Sequence, residues 1–121
     1  MTMIWTAQYA YRGPDRVDIT MKCPKTSIGT AFQPGWDIVM SFKNGTITEA
    51  QYRALYLERM RVSYNTNKPY WDVLLNMLEV TLVCFCPADT FCHRLILGEY
   101  VLPKCSNIAT YKGERRPNET W

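Results

Sequence analysis

"EVTLVCFCPADTFCHRL", residues 79–95, is the stretch that decides the fold of this 121-residue chain. Along "EVTLVCFC" the side chains Thr81, Val83 and Phe85 alternate with Leu82, Cys84 and Cys86, and both sets are apolar. A strand with two apolar faces is buried from both sides, as in the middle of a parallel sheet. Pro87 ends it. From about Thr90 the chain turns into "FCHRLILGEYVLPKC", a helix whose apolar residues spread round nearly the whole circumference and which stops at Pro103. Such a helix needs cover on its second side as well, for which we expect a subunit, as in a homodimer.

The flanking sequence supplies the rest of an α/β domain. "MIWTAQY" (residues 3–9) alternates and is rich in strand formers, and Gly13 and Pro14 then mark a turn before the short extended piece "RVDIT". Residues 21–35 carry prolines and glycines without a period and read as a long loop over a site. "WDIVMSFKNG" reads as a short helix capped by Asn44 and Gly45. Thr48 and Gln51 have capping-box spacing, followed by Tyr52, Leu55, Tyr56 and Met60 at helical intervals, so a helix is predicted to about Tyr64. "PYWDVLLNML" is another short helix with Pro69 in its first turn. "NIATYKG" adds a final strand or extended arm, and a polar tail follows from about residue 112. Strands alternating with helices predict one three-layer α/β domain, Rossmann-like, with a small, mostly parallel sheet flanked by helices. Ligands of such sheets sit beyond the carboxyl ends of the strands, where "VCFCPADTFCHRL" lies.

Composition narrows the function classes. The chain is 47% hydrophobic and 21% charged, which excludes a disordered or collagen-like protein. A formal charge of +3 suits an anionic ligand and makes nucleic acid a secondary partner only. No apolar run approaches a membrane span and no charged leader precedes one, so a cytoplasmic protein is expected, with its five cysteines reduced.

Three chemistries compete for the decisive stretch. Cys84, Cys86, Cys92 and His93 are the right residue types for tetrahedral zinc. Cys92 and His93, adjacent on a helix, would diverge by about 100°, so no metal is expected and Cys84 reads as a core thiol. A cysteine nucleophile is the second option: Cys92 beside His93 and Arg94 at a helix start, or Cys86 at the strand end. The phosphate loop of cysteine phosphatases is missing, because seven residues rather than five separate Cys86 from Arg94. The third option is an anion at the helix start, with Asp89 or Thr90 as the cap and His93 and Arg94 close by. In so apolar a helix the Arg94 guanidinium needs a partner, either a carboxylate such as Asp18 or Asp37 or the anion of a ligand. Trp36 and Tyr9 are candidates to stack on a ligand ring, and Lys22 to reach a phosphate.

The cysteine-bearing strand followed by "FCHRLIL" resembles the carboxyl-terminal signature of the "domain of unknown function 488" family, in particular the short members carried by phages and mobile elements. "DITMK" (18–22), "FQPGWDIVMSFKNGTIT" (32–48) and "YRALYLERMRVSY" (52–64) extend the resemblance. It implies a compact α/β domain with the Cys92, His93, Arg94 triplet beside a cleft. The DxR of longer members is absent, and Arg12 and Asp18 stand in for it. From these readings we expect binding of a small nucleotide-type or other phosphorylated ligand, gripped by Arg94 and His93, without a cofactor. In a phage setting this would serve counter-defence by sequestering a nucleotide immune signal. The alternatives are an enzyme processing a nucleotide or nucleobase with Cys92 and His93, and a nucleic-acid-associated accessory protein.

Overall fold

The computed structural model describes residues 1–86 and 91–115. In chain order the strands are β1 (Thr2–Gln8), β2 (Arg16–Asp18), β3 (Glu79–Cys84) and β4 (Ala109–Arg115). The helices are α1 (Trp36–Lys43), α2 (Glu49–Thr66), α3 (Lys68–Leu75), α4 (His93–Leu95) and α5 (Leu102–Cys105). A 3-10 turn, Ile28–Phe32, precedes α1, and a π-helical turn, Ile96–Val101, joins α4 to α5. The four strands form one sheet in the order β2-β3-β1-β4, with every pairing parallel. This is the small α/β fold that the apolar β3 called for: all its residues from Val80 to Cys84 are buried.

Register places side chains on two faces. Ile4 pairs with Val80, and Thr6 with Leu82, which in turn pairs with Val17. These residues meet the buried side chains of the helices in one continuous core, among them Ile38, Tyr56, Met60, Trp71, Leu74, Ile96, Leu97 and Leu102. The helices therefore gather on this face. The opposite face carries Ala7 and Val83 and is covered by Tyr11, from the β1–β2 connection, with Tyr9 at its margin. Arg115 closes the same face, lying over the Trp5 ring at 4.2 Å and paired with Glu79 and Asp15.

Connections at β1 and β3 leave on different faces, the first through the Tyr11 loop and the second through α4, the π turn and α5.

Local signals account for most element ends. Thr48 caps α2 through its side chain, and Gln51 returns the bond to the Thr48 backbone, completing the capping box; α2 runs two residues beyond the expected end, to Thr66. The segment read as a long loop, residues 21–35, carries the Ile28–Phe32 turn and packs against α2. Its 3-10 turn buries Ala31 and Phe32, whose carbonyls accept hydrogen bonds from Ser63 and Tyr56 on α2. β4 continues to Arg115, through residues that read as the start of a polar tail.

The last helix departs furthest from expectation. It begins at His93 rather than near Thr90, and Cys92 before it is extended (φ −161, ψ 156). Pro87, Asp89 and Thr90, expected as strand end and cap, lie outside the described residues. The π turn also explains the apolar residues that seemed to encircle this helix. Wider winding turns Ile96, Leu97, Gly98 and Leu102 inward together and leaves Glu99 and Tyr100 exposed, so the helix has a single exposed side. No helix among the described residues is long and apolar enough to cross a membrane.

Candidate functional site

A cleft of about 510 Å³ opens at the carboxyl ends of β2 and β3. Thr20, Met21 and Lys22 enter from the end of β2, and Cys84, Phe85 and Cys86 from the end of β3. Trp36, Val39, Phe42 and Lys43 come from α1, Tyr52 from α2, and Phe91, Cys92 and His93 from the start of the last helix. Phe42, Tyr52 and Phe91 form a mutually edge-on aromatic wall, with centroids 5.3–5.4 Å apart. Trp36 is 51% exposed and offers a ring at the mouth, where the exposed Lys22 and Lys43 supply positive charge.

The floor is a cluster of thiols. Cys84 and Cys92 are buried with their sulfurs 2.7 Å apart, while Cys86 is half-buried. Hydrogen bonds from Cys84 and Cys92 hold the Cys86 thiol far below the usual range; the charges of Arg94 and Lys43 assist and burial opposes. Cys92 is displaced the other way by the same contacts and by burial. These contacts favour the thiolate at Cys86 and the thiol at Cys92. His93 Nε2 lies 2.8 Å from the Ile19 carbonyl, which can only accept, so Nε2 bears the proton. Nδ1 then presents its lone pair 3.5 Å from Cys92 Sγ. Burial pushes the imidazole pKa down and keeps it neutral.

Arg94 lies under this floor with 0% exposure, and its anion is internal. Nε and Nη2 donate to the two carboxylate oxygens of Glu114 at 3.2 and 2.8 Å. Nη1 reaches Cys84 Sγ at 2.8 Å and the Cys86 carbonyl at 3.1 Å. Neither carboxylate considered from the sequence fills that place. Asp37 pairs with Arg59 on α2, and Asp18 accepts the Thr20 N–H, turning the chain after β2.

The family model described as the active DUF488-N3 subclade matches residues 1–104. The chain belongs to this DUF488 family. No curated protein and no solved structure matches the chain.

Of the residues singled out from the sequence, this DUF488 domain brings Cys86, Cys92, His93, Lys22 and Trp36 together in the cleft, with Arg94 beneath. Tyr9 and Arg12 stand apart from its lining. Tyr9 stacks on Phe85 at 4.4 Å, and Arg12 donates to the Tyr9 and Tyr11 carbonyls. Lys43 and Val39 were missed, although Trp36, Val39 and Lys43 share one helical face, a signal the sequence does carry. Glu114 gave no such signal, because it lies twenty residues beyond its partner on another strand.

The geometric reason against a metal does not hold. Cys92 is extended rather than helical, so it does not diverge from His93 as helical neighbours would. Cys84 Sγ, Cys92 Sγ and a His93 ring nitrogen lie within 4.8 Å of one another and could hold a thiophilic cation. That cation would share the Cys84 sulfur with the Arg94 guanidinium.

Proposed function

We propose that the cleft takes a small planar anion of the nucleotide or nucleobase class and that Cys86 attacks it. The observation that carries this reading is the position of Cys86: a half-buried thiol at the end of a central strand, facing the cleft, with hydrogen bonds that favour its thiolate. Trp36 and the Phe42, Tyr52, Phe91 wall suit a flat ring, and Lys22 and Lys43 suit a phosphate or carboxylate at the mouth. The subclade whose family model matches is described as active, which supports turnover over storage.

Each part of the floor has a role in this reading. The Cys86 sulfur forms a bond to an electrophilic centre of the ligand, the leaving group departs with the bonding pair, and water later releases the product and restores the thiolate. Arg94 is a positioning residue: tied to Glu114, it fixes the Cys84 sulfur and the Cys86 carbonyl. The nucleophile is therefore Cys86 rather than Cys92.

The test incubates the purified chain with a panel of nucleotides and nucleosides and follows both thermal shift and the mass of the released compound. We expect one class to stabilise the protein and to be recovered altered, Cys86→Ser to keep the shift without turnover, and Trp36→Ala to lose most of the shift. Recovery of the bound nucleotide unchanged from the native protein would make it a sequestering protein, the counter-defence role. Absence of any shift across the panel rejects the ligand class.

A further inference from the structure

Three ligating side chains converge at the base of the cleft. Cys84 comes from the end of β3, Cys92 from the extended residue before α4, and His93 from the first residue of α4. All three are buried and line the cleft, and Cys84 Sγ, Cys92 Sγ and a His93 ring nitrogen lie within 4.8 Å of one another. We propose that they bind one zinc ion, with a fourth position open to the cleft. The inference stands apart from attack by Cys86, whose sulfur is outside this set.

The His93 ring is already turned for such an ion. Its Nε2 donates to the Ile19 carbonyl at 2.8 Å, which leaves the Nδ1 lone pair facing Cys92 Sγ at 3.5 Å. Metal-bound imidazoles give their other N–H to a carbonyl or carboxylate in this way. Zinc bonds of about 2.3 Å to sulfur and about 2.0 Å to nitrogen, at tetrahedral angles, separate the two ligand atoms by about 3.6 Å. The Cys92–His93 spacing already meets that distance. The two sulfurs, 2.7 Å apart, must open by about 1 Å to reach the roughly 3.8 Å that tetrahedral zinc demands.

Charge balances as well. Cys84 and Cys92 each release a proton to solvent as the sulfur–zinc bonds form, and two thiolates neutralise the divalent ion. Glu114 already neutralises Arg94, so the buried group as a whole carries no net charge. Arg94 Nη1, 2.8 Å from Cys84 Sγ, can keep its hydrogen bond, because a zinc-bound thiolate retains further lone pairs. Calcium and magnesium take oxygen ligands and do not suit two thiols and an imidazole. Three protein ligands leave tetrahedral zinc one place to fill. Since all three line the cleft, that place takes water or a donor atom of the occupant, a ring nitrogen or an anionic oxygen.

The test uses the untagged full-length chain, expressed in zinc-supplemented medium and kept reduced with a phosphine. Elemental analysis should find one zinc per chain, retained in Cys86→Ser and in Cys105→Ser, a half-buried thiol outside the cluster. Losing even an outer partner of a metal ligand costs about 10–100-fold in affinity, so Cys92→Ser and His93→Gln should each weaken zinc by about a hundredfold or more in competition with a chromophoric chelator. Cobalt(II) added to the zinc-free native protein should give a thiolate-to-metal charge-transfer band in the near ultraviolet and the intense visible bands of a tetrahedral site, a readout that needs no variant. Native protein that takes up no zinc, a cobalt spectrum without the charge-transfer band, or unchanged affinity in Cys92→Ser overturns the proposal. Loss of zinc from Cys86→Ser overturns the open position, because Cys86 would then close the site.

Discussion

The His93 imidazole has no exit to water: its Nε2–H is bound to the Ile19 carbonyl, Tyr56 packs edge-on at 5.7 Å, and Cys84, Cys92, Arg94 and Asp18 are the ionisable groups around it. Burial lowers its folded pKa below the free value, so below about pH 6.5 the unfolded chain binds the extra proton first. Stability from this residue is therefore complete above that pH and is lost as pH falls, by at most about 1.4 kcal/mol per pH unit. Denaturant titrations between about pH 7 and pH 5 should show this slope in the native protein and a flatter one in His93→Gln. Equal slopes would remove His93 from the pH response. Contacts with Cys84 and Cys92 also lower the Cys86 pKa, which favours its thiolate at a lower pH than a free thiol. Its alkylation rate should stay nearly flat between about pH 6 and pH 8, where an ordinary thiol gains about tenfold per unit. A tenfold rise at Cys86 would show that its neighbours do not acidify it. These assignments depend on which sulfur touches which, a tertiary fact. The sequence made the cysteines visible as a group and offered Cys92 and Cys86 as nucleophiles, but the extended backbone at Cys92 has no local signature.

Among the elements, β3 and the start of α2 were the most legible. Two apolar faces can only be satisfied in a sheet interior, and the Thr48–Gln51 capping box is written in four residues. The π turn was not legible, because the same apolar residues fit a conventional helix covered from two sides. Its closest approach to the sheet is at Gly98, where a Cβ would lie 3.2 Å from the Thr6 methyl and 3.4 Å from side-chain carbons of Ile4 and Leu82. Gly98→Val should therefore destabilise the fold by about 1–3 kcal/mol through overpacking. Denaturant midpoints check this, and an unchanged midpoint would mean that the turn is free to lift from the sheet.

At the scale of the whole molecule, the ion pair between Arg94 and Glu114 ties the helix start to the edge strand β4, and both side chains are nearly or wholly buried. Removing one partner of such a pair leaves an uncompensated interior charge. Glu114→Gln should cost about 3–5 kcal/mol by denaturant unfolding. The exposed pair of Glu58 and Arg61 is the control, where Glu58→Gln should change stability by no more than about 1 kcal/mol. Comparable losses in the two variants would show that Arg94 finds another anion.

That pair also bears on where the working unit stops. The match to the DUF488 family model closes at residue 104, ten residues short of the carboxylate that neutralises Arg94. An expression fragment trimmed to the matched region would delete β4 and strand a guanidinium beneath the thiols, so the shortest version able to preserve the cleft must extend through Arg115.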